Sequence, residues 1–336
     1  MTLAGLASLQ PLAAAPGDAQ VTPGEFVIEH PTLINLGFEW HIDGDGNRNA
    51  SVEVSFRKQG ETAWRRGMPL ARLHGEQVFQ RNVFNYITNA HDNSIEMDGS
   101  MHNIRVMRNM LINSSSHPMS TQPSTGGPVY FIRNIAYHAP GGSTRLTAGS
   151  PGVFFYHNTV LTETSAGASS NVHWRNNLML GSNAQPALFN INTNTNYSSS
   201  DYNGFGPNGG AEAFQWNSPP WDVPKILADG SGPTKIEPRK FATLEAYAQA
   251  TKQDQHSVLV GYDIFMKVAK LDAKDLATVQ RLYKAEDLDF RLRPGSAAID
   301  RGVALPNVSD GFAGQAPDLG ALEAGQAVPI YGPRPR

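Results

Sequence analysis

The chain has 336 residues, 40% hydrophobic and 17% charged, the make-up of a packed protein rather than a disordered tail. A net charge of −3, a pI of about 6.4 and the lack of any Lys/Arg-rich run exclude an electrostatic nucleic-acid binder. With no cysteine there are neither disulfides nor thiolate metal sites.

Residues 3–12 are apolar, too short to span a bilayer, and lead into Ala13-Ala14-Ala15-Pro16. Residues 1–20 therefore read as a signal-like or disordered segment that lacks a basic start. They predict a secreted or periplasmic protein with no membrane span.

Residues 21–75 read as strands, with Phe26-Val27-Ile28 first, then an apolar run ending at Trp40, then Val52, Val54 and Phe56. Asp43-Gly44-Asp45-Gly46 is a tight turn; no glutamate follows at the spacing of an EF-hand loop. The runs Ile34-Asn35-Leu36-Gly37-Phe38-Glu39-Trp40 and Ser51-Val52-Glu53-Val54-Ser55-Phe56-Arg57 resemble the opening strands of a fibronectin-type-III-like module. A complete sandwich of that kind needs about seven strands in about 100 residues, so the segment is expected to be a partial module. From Trp64 to Arg81 neither linker nor solenoid cap is legible, which predicts that an internal segment around residues 74–81 has been lost.

Residues 76–325 are expected to be one domain, and within it, from Arg81 to about Leu180, one phrase recurs five times. Its copies are Arg81-Asn82-Val83-Phe84, Arg108-Asn109-Met110-Leu111, Arg133-Asn134-Ile135-Ala136, His157-Asn158-Thr159-Val160 and Arg175-Asn176-Asn177-Leu178, with asparagines 27, 25, 24 and 18 residues apart. Alternating apolar runs such as Ile104/Val106, Val129/Phe131 and Val153/Phe155 make each copy a turn of strand, and so short a unit buries an apolar face only by stacking on its neighbours. The fold class predicted is all-β, a right-handed parallel β-helix with an incomplete sandwich-like N-terminal segment and a few short C-terminal helices. Asn82, Asn109, Asn134, Asn158 and Asn176 are expected to stack as an internal amide ladder, with His157 in the arginine slot as a packing residue. Residues 205–285 form an irregular subregion with helical spacing over 241–251 and 272–283, and residues 326–336 are a tail.

The chain closes with Leu288-Asp289-Phe290-Arg291-Leu292-Arg293-Pro294-Gly295-Ser296-Ala297-Ala298-Ile299-Asp300-Arg301-Gly302 and then Pro317-Asp318-Leu319-Gly320-Ala321-Leu322-Glu323. Together with the Arg/His-Asn repeats, this resembles bacterial right-handed β-helix proteins of the pectin-lyase-like superfamily over residues 81–325. The resemblance implies a polysaccharide partner, an extended and uronic-acid-containing glycan among the candidates, and either glycoside hydrolase or polysaccharide lyase activity in a monomeric protein. Adhesins and passive surface proteins share the fold and form the rival class.

Between the asparagine copies, aligning Met97, Thr121 and Leu146 inward points Glu96, Ser120 and Arg145 outward in one column and Asp98, Gln122 and Thr147 in the next. Asp92, Glu96 and Asp98 are the sole carboxylates between Arg81 and Glu163. Residues two apart on a strand are about 6.6–7 Å apart, the separation inverting glycosidases use for their acid and base. Glu96 and Asp98 are therefore the catalytic candidates, with Arg145. Asp92, Glu96 and Asp98 are equally a candidate Ca2+ set that would neutralise a uronate for elimination; no other cofactor is indicated. A third reading pairs the acids with Arg145 on a solvated strand. No lysine occurs between Lys58 and Lys225, so a base must come from elsewhere, His102 and His117 being the imidazoles in reach. Gln122, His102, Arg105 and Tyr130 are the expected substrate-binding residues.

Overall fold

The computed structural model describes residues 20–28, 38–45, 50–67, 94–99, 103–114, 116–124, 128–139, 144–147, 149–206, 213–218, 239–329 and 331. The chain divides into two compact units, Met1–Val78 with Ile226–Gly232, and Phe79–Lys225 with Pro233–Arg336.

In the first unit, strands Val21–Ile28 and Phe38–Gly44 pair antiparallel, and Ser55–Phe56 pairs with Arg65–Arg66. Phe26 stacks on Phe38 at 5.7 Å and meets Trp40 edge-on at 5.9 Å. Asp43 and Gly44, expected in a tight turn, instead continue the second strand, and Asp45 Oδ1 accepts the Ala50 N–H at 3.2 Å. Phe26, Ile28, Phe56 and Trp64 remain exposed, so two hairpin-sized pairs bury little apolar surface. The expected strand residues 31–37 and the proposed junction at 74–81 lie outside the described residues.

The second unit is a right-handed parallel β-helix. Three stacks of short strands form its faces. The first sheet runs Ile95–Glu96, Met119–Thr121, Thr144–Leu146, the start of Thr164–Arg175, Phe189–Thr193 and Phe214–Asn217, with Lys240–Phe241 antiparallel at its end. The second runs Ile104–Met107, Val129–Ile132, Pro151–Tyr156, the end of Thr164–Arg175 and Ser199–Asp201. The third runs Met110–Ile112, Ile135–Tyr137, Thr159–Leu161, Leu178–Met179, Gly204–Phe205 and Val258–Leu259. Period-2 alternation sends Val129, Phe131, Val153, Phe155, Val172 and Trp174 inward into one core. Phe131, Phe155 and Trp174 stack there coil on coil at 4.7 and 6.3 Å.

The Arg/His-Asn phrase marks the corner between the second and third sheets. Its first position is left-handed in every described coil: Arg108 (φ 54°), Arg133 (54°), His157 (55°), Asn176 (58°) and Tyr202 (56°). The next residue is the rung. Asn109 donates its backbone N–H and Nδ2 to Asn134 Oδ1 at 3.0 and 2.9 Å, and the same pair of bonds joins Asn134 to Asn158, Asn158 to Asn177 and Asn177 to Asn203. The corner takes these N–H groups out of the sheet ladder, and a side-chain carbonyl from the neighbouring coil replaces the lost acceptor. The fifth rung is thus Asn177, not Asn176, which sits one place earlier in the left-handed slot. The coil is short because strand Thr164–Arg175 runs through the corner between the first and second sheets without a loop. Tyr202-Asn203 is a further copy that carries no arginine or histidine. Asn82 lies outside the described residues.

At the far end, Asn203 Nδ2 donates to Asp254 Oδ1 at 3.0 Å, and Asp254 also accepts from Ser257 Oγ and Tyr247 OH. Desolvation pushes this buried carboxyl above its ordinary pKa despite those donors. Helix Leu244–Thr251 starts at Thr243, whose hydroxyl oxygen accepts the Ala246 N–H, and it buries Leu244 and Tyr247. The helix expected over 272–283 is confined to Leu276–Gln280, capped by Asp275. The closing motif lies on the third sheet: Gly320 donates to Asn176 O at 2.7 Å and Ala321 to Thr159 Oγ1 at 3.0 Å. Asp318 accepts the N–H groups of Asp300 and Ala324, and Glu323 those of Ala313 and Asp318. Both acids of the motif fasten the terminal segment.

Candidate functional site

The outward column of the first sheet is in unbroken register: Glu96, Ser120, Arg145, Ser165, Asn190, Gln215, then Lys240. Met97, Thr121 and Leu146 point inward and are buried, as alternation requires. Gln122 donates Nε2 to Glu96 Oε1 at 3.0 Å and accepts from Thr147 Oγ1 at 3.2 Å, so the two columns are joined by a chain of bonds ending on the carboxylate. Asp98 is exposed in the turn that follows Glu96.

Arg145 contributes a second contact, its Nη1 lying 3.2 Å from His117 Nε2. A guanidinium only donates, so Nε2 accepts and the imidazole is neutral in this arrangement. Between Glu96 and Arg145, Ser120 is 1% exposed and its Oγ has no hydrogen-bond partner among the described residues. An unpaired buried hydroxyl is costly by about 1–3 kcal/mol, and it marks the middle of this cluster. Further along, Asn217 Nδ2 donates to Asn192 Oδ1 at 2.7 Å, and Asn192 reaches Asn190 at 3.4 Å, which continues the face as amides.

Glu96 and Arg145 share one column of the first sheet, Gln122 directly follows strand Met119–Thr121 and bonds Glu96, and Asp98 lies in the turn after Glu96. Arg105 and Tyr130 belong elsewhere, for they pair with each other across the second sheet. Arg105 is exposed, 3.5 Å from Asn103 Oδ1. Tyr130 is 0% exposed and stacks on Phe154 at 5.3 Å, so its ring offers no free face to a sugar. Asp92 and His102 lie outside the described residues. No group of three His, Asp or Glu side chains suited to a metal occurs among the described residues. With Glu96 Oε1 taken by an amide N–H and the Arg145 cation in the same column, these residues are a poor fit to Ca2+.

His157 is a packing residue, 0% exposed, with Nε2 2.8 Å from Ser309 Oγ and 2.9 Å from Asn176 Nδ2. The contact of His117 with Arg145 and the continuation through Ser165, Asn190 and Gln215 were not legible in the repeat. The step from Arg145 to Ser165 is shortened by the same loop-free corner that displaced the asparagine register. The steps of 25 from Ser165 to Asn190 and from Asn190 to Gln215 were the available signal.

No known protein family, curated protein or solved structure matches this chain.

Proposed function

We propose that this protein is an exported, pectin-lyase-like β-helix that binds an extended polysaccharide along the outer face of its first sheet and cleaves it beside Arg145. The observation that carries this reading is the register Glu96–Ser120–Arg145, which sets a carboxylate and a cation in one column with, through Arg145, a neutral imidazole beside them. Strands stack about 4.8 Å apart, close to the advance of one sugar ring, so amides and hydroxyls on successive strands suit successive residues of a glycan. Residues 21–75 are an accessory β module in this reading.

Elimination suits the cluster. Arg145 turns from His117 to the carboxylate of a uronic acid and offsets the charge that builds up when the neighbouring C–H proton leaves. His117 Nε2, released from the guanidinium, takes that proton. The C=C bond forms as the C–O bond to the leaving sugar breaks, and the leaving oxygen takes the proton from the His117 imidazolium; Glu96, oriented by Gln122, and Asp98 bind sugar hydroxyls. Arg145 supplies the positive charge that a calcium ion would otherwise bring. Hydrolysis is the second reading, favoured by two carboxylates side by side at the end of one strand, Glu96 on it and Asp98 in the turn that follows, as an acid and base pair.

A polysaccharide panel scored for reducing ends and for ultraviolet absorbance of unsaturated uronates tests this. Elimination gives both signals, resists chelator and is lost in His117→Ala. Hydrolysis gives reducing ends alone and falls by orders of magnitude in Asp98→Asn or Glu96→Gln at unchanged melting temperature. Glycan binding without either signal indicates the non-catalytic adhesin class, and absence of glycan binding refutes the proposal.

A further inference from the structure

A second cluster with nucleophile chemistry lies outside the first sheet. Past its corner, strand Thr164–Arg175 pairs with Ser199–Asp201, placing His173 opposite Ser199 and Arg175 opposite Asp201. Val172, Trp174 and Ser200 point inward and are buried, while Asn171, His173, Arg175 and Ser199 alternate outward and are half-buried. Asn171 is left-handed, φ 52°, and its Oδ1 lies 2.8 Å from His173 Nε2. The other ring nitrogen, Nδ1, is 2.8 Å from Ser199 Oγ. Arg175 Nη2 donates to that same Oγ at 2.8 Å.

The donor and acceptor roles follow in order. An amide oxygen only accepts, so His173 carries its proton on Nε2 and leaves Nδ1 as an acceptor. Ser199 therefore donates its hydroxyl proton to Nδ1 while Arg175 solvates its oxygen. Phe154 stacks on the ring at 5.3 Å and 17°, fixing its plane. A serine whose proton points at a neutral imidazole, with that imidazole held by a third polar group, is the arrangement that activates a hydroxyl for attack.

We propose that Ser199, His173, Asn171 and Arg175 form an acyl-transfer site for carboxylic esters, separate from the polysaccharide face. Ser199 Oγ adds to the ester carbonyl carbon and its proton passes to His173 Nδ1; the carbonyl electron pair moves onto oxygen, where the Arg175 guanidinium faces the new charge. Collapse of the adduct breaks the bond to the alkoxy group, which leaves as an alcohol with the proton from His173. Water then attacks the acyl-serine by the same route, releasing a carboxylic acid and restoring Ser199. Burial, assisted by the charge of Arg175, lowers the pKa of His173 to about 4, so the ring stays unprotonated through the neutral and mildly acidic range. So weak a base suits esters rather than amides, whose poorer leaving groups demand more assistance.

The test uses the full chain with p-nitrophenyl acetate and, separately, a fluorophosphonate reagent followed by peptide mass spectrometry. The expected result is ester hydrolysis that persists down to about pH 4, with the reagent on Ser199. Ser199→Ala and His173→Gln, checked for native circular dichroism, should each lower the rate by about 100-fold or more. Hydrolysis by folded Ser199→Ala at the parental rate, or a folded parent whose Ser199 the reagent does not modify, overturns the proposal. If the variants do not fold, the labelling of the parent decides alone.

Discussion

Replacing Asn158 by alanine tests whether the amide ladder carries the stability of the solenoid. Asn158 is 0% exposed; its Oδ1 accepts the backbone N–H and the Nδ2 of Asn134, and its Nδ2 donates to Phe131 O and Asn177 Oδ1. Alanine removes all of these. Asn134 Nδ2 keeps Val106 O and Asn177 Oδ1 keeps the Asn158 backbone N–H, but the buried Asn134 N–H loses its side-chain acceptor. One stranded buried donor costs about 1–3 kcal/mol and each of the three other lost bonds about 1 kcal/mol, so the expected loss is about 4–6 kcal/mol. Asn109→Ala is the control. Asn109 is half-buried, and among the described residues its Nδ2 makes a single ladder bond, to Asn134 Oδ1, so about 1 kcal/mol is expected from that bond. Asn158→Asp should be at least as damaging as alanine at neutral pH, because it turns an anion toward two oxygens. Urea unfolding followed by tryptophan fluorescence reads the midpoints. Equal midpoints for Asn158→Ala and Asn109→Ala would refute the reasoning.

Two further predictions concern the closing segment and the acid limb of stability. Gly320 has φ +91°, and a Cβ there would lie 2.6 Å from Leu178 Cδ1 and 2.7 Å from Thr159 Oγ1, so Gly320→Ala should destabilise by about 2–4 kcal/mol and loosen the C-terminal segment, read as faster proteolysis there. Burial, with Arg133 nearby, lowers His157 to about 3 from an ordinary 6.5; its contribution is therefore complete above pH 6.5 and lost as pH falls toward 3. His157→Gln should flatten the pH dependence of the melting temperature in that window, and an unchanged slope would count against it.

The β-helix was legible in the sequence because its signals are local. Alternation at Val129/Phe131 and Val153/Phe155 identifies strands, and a recurring Arg/His-Asn corner at steps near 25 implies stacked coils, since each unit needs its neighbour to bury an apolar face. The column Glu96–Ser120–Arg145 followed from the same arithmetic, because a two-residue period fixes which face a side chain takes once register is known. Register itself slipped where coil length changed: Asn176 and Asn177 are adjacent and chemically identical, and only hydrogen bonding across coils distinguishes a rung from a left-handed corner. Arg105 and Tyr130 show the other limit. Their residue types suit a sugar, but which sheet they join, and that Tyr130 is covered, depends on where each coil turns. The contacts of His117 with Arg145 and of Ser199 with His173 join residues 28 and 26 positions apart, and no local pattern encodes a distance set by the stacking of whole coils.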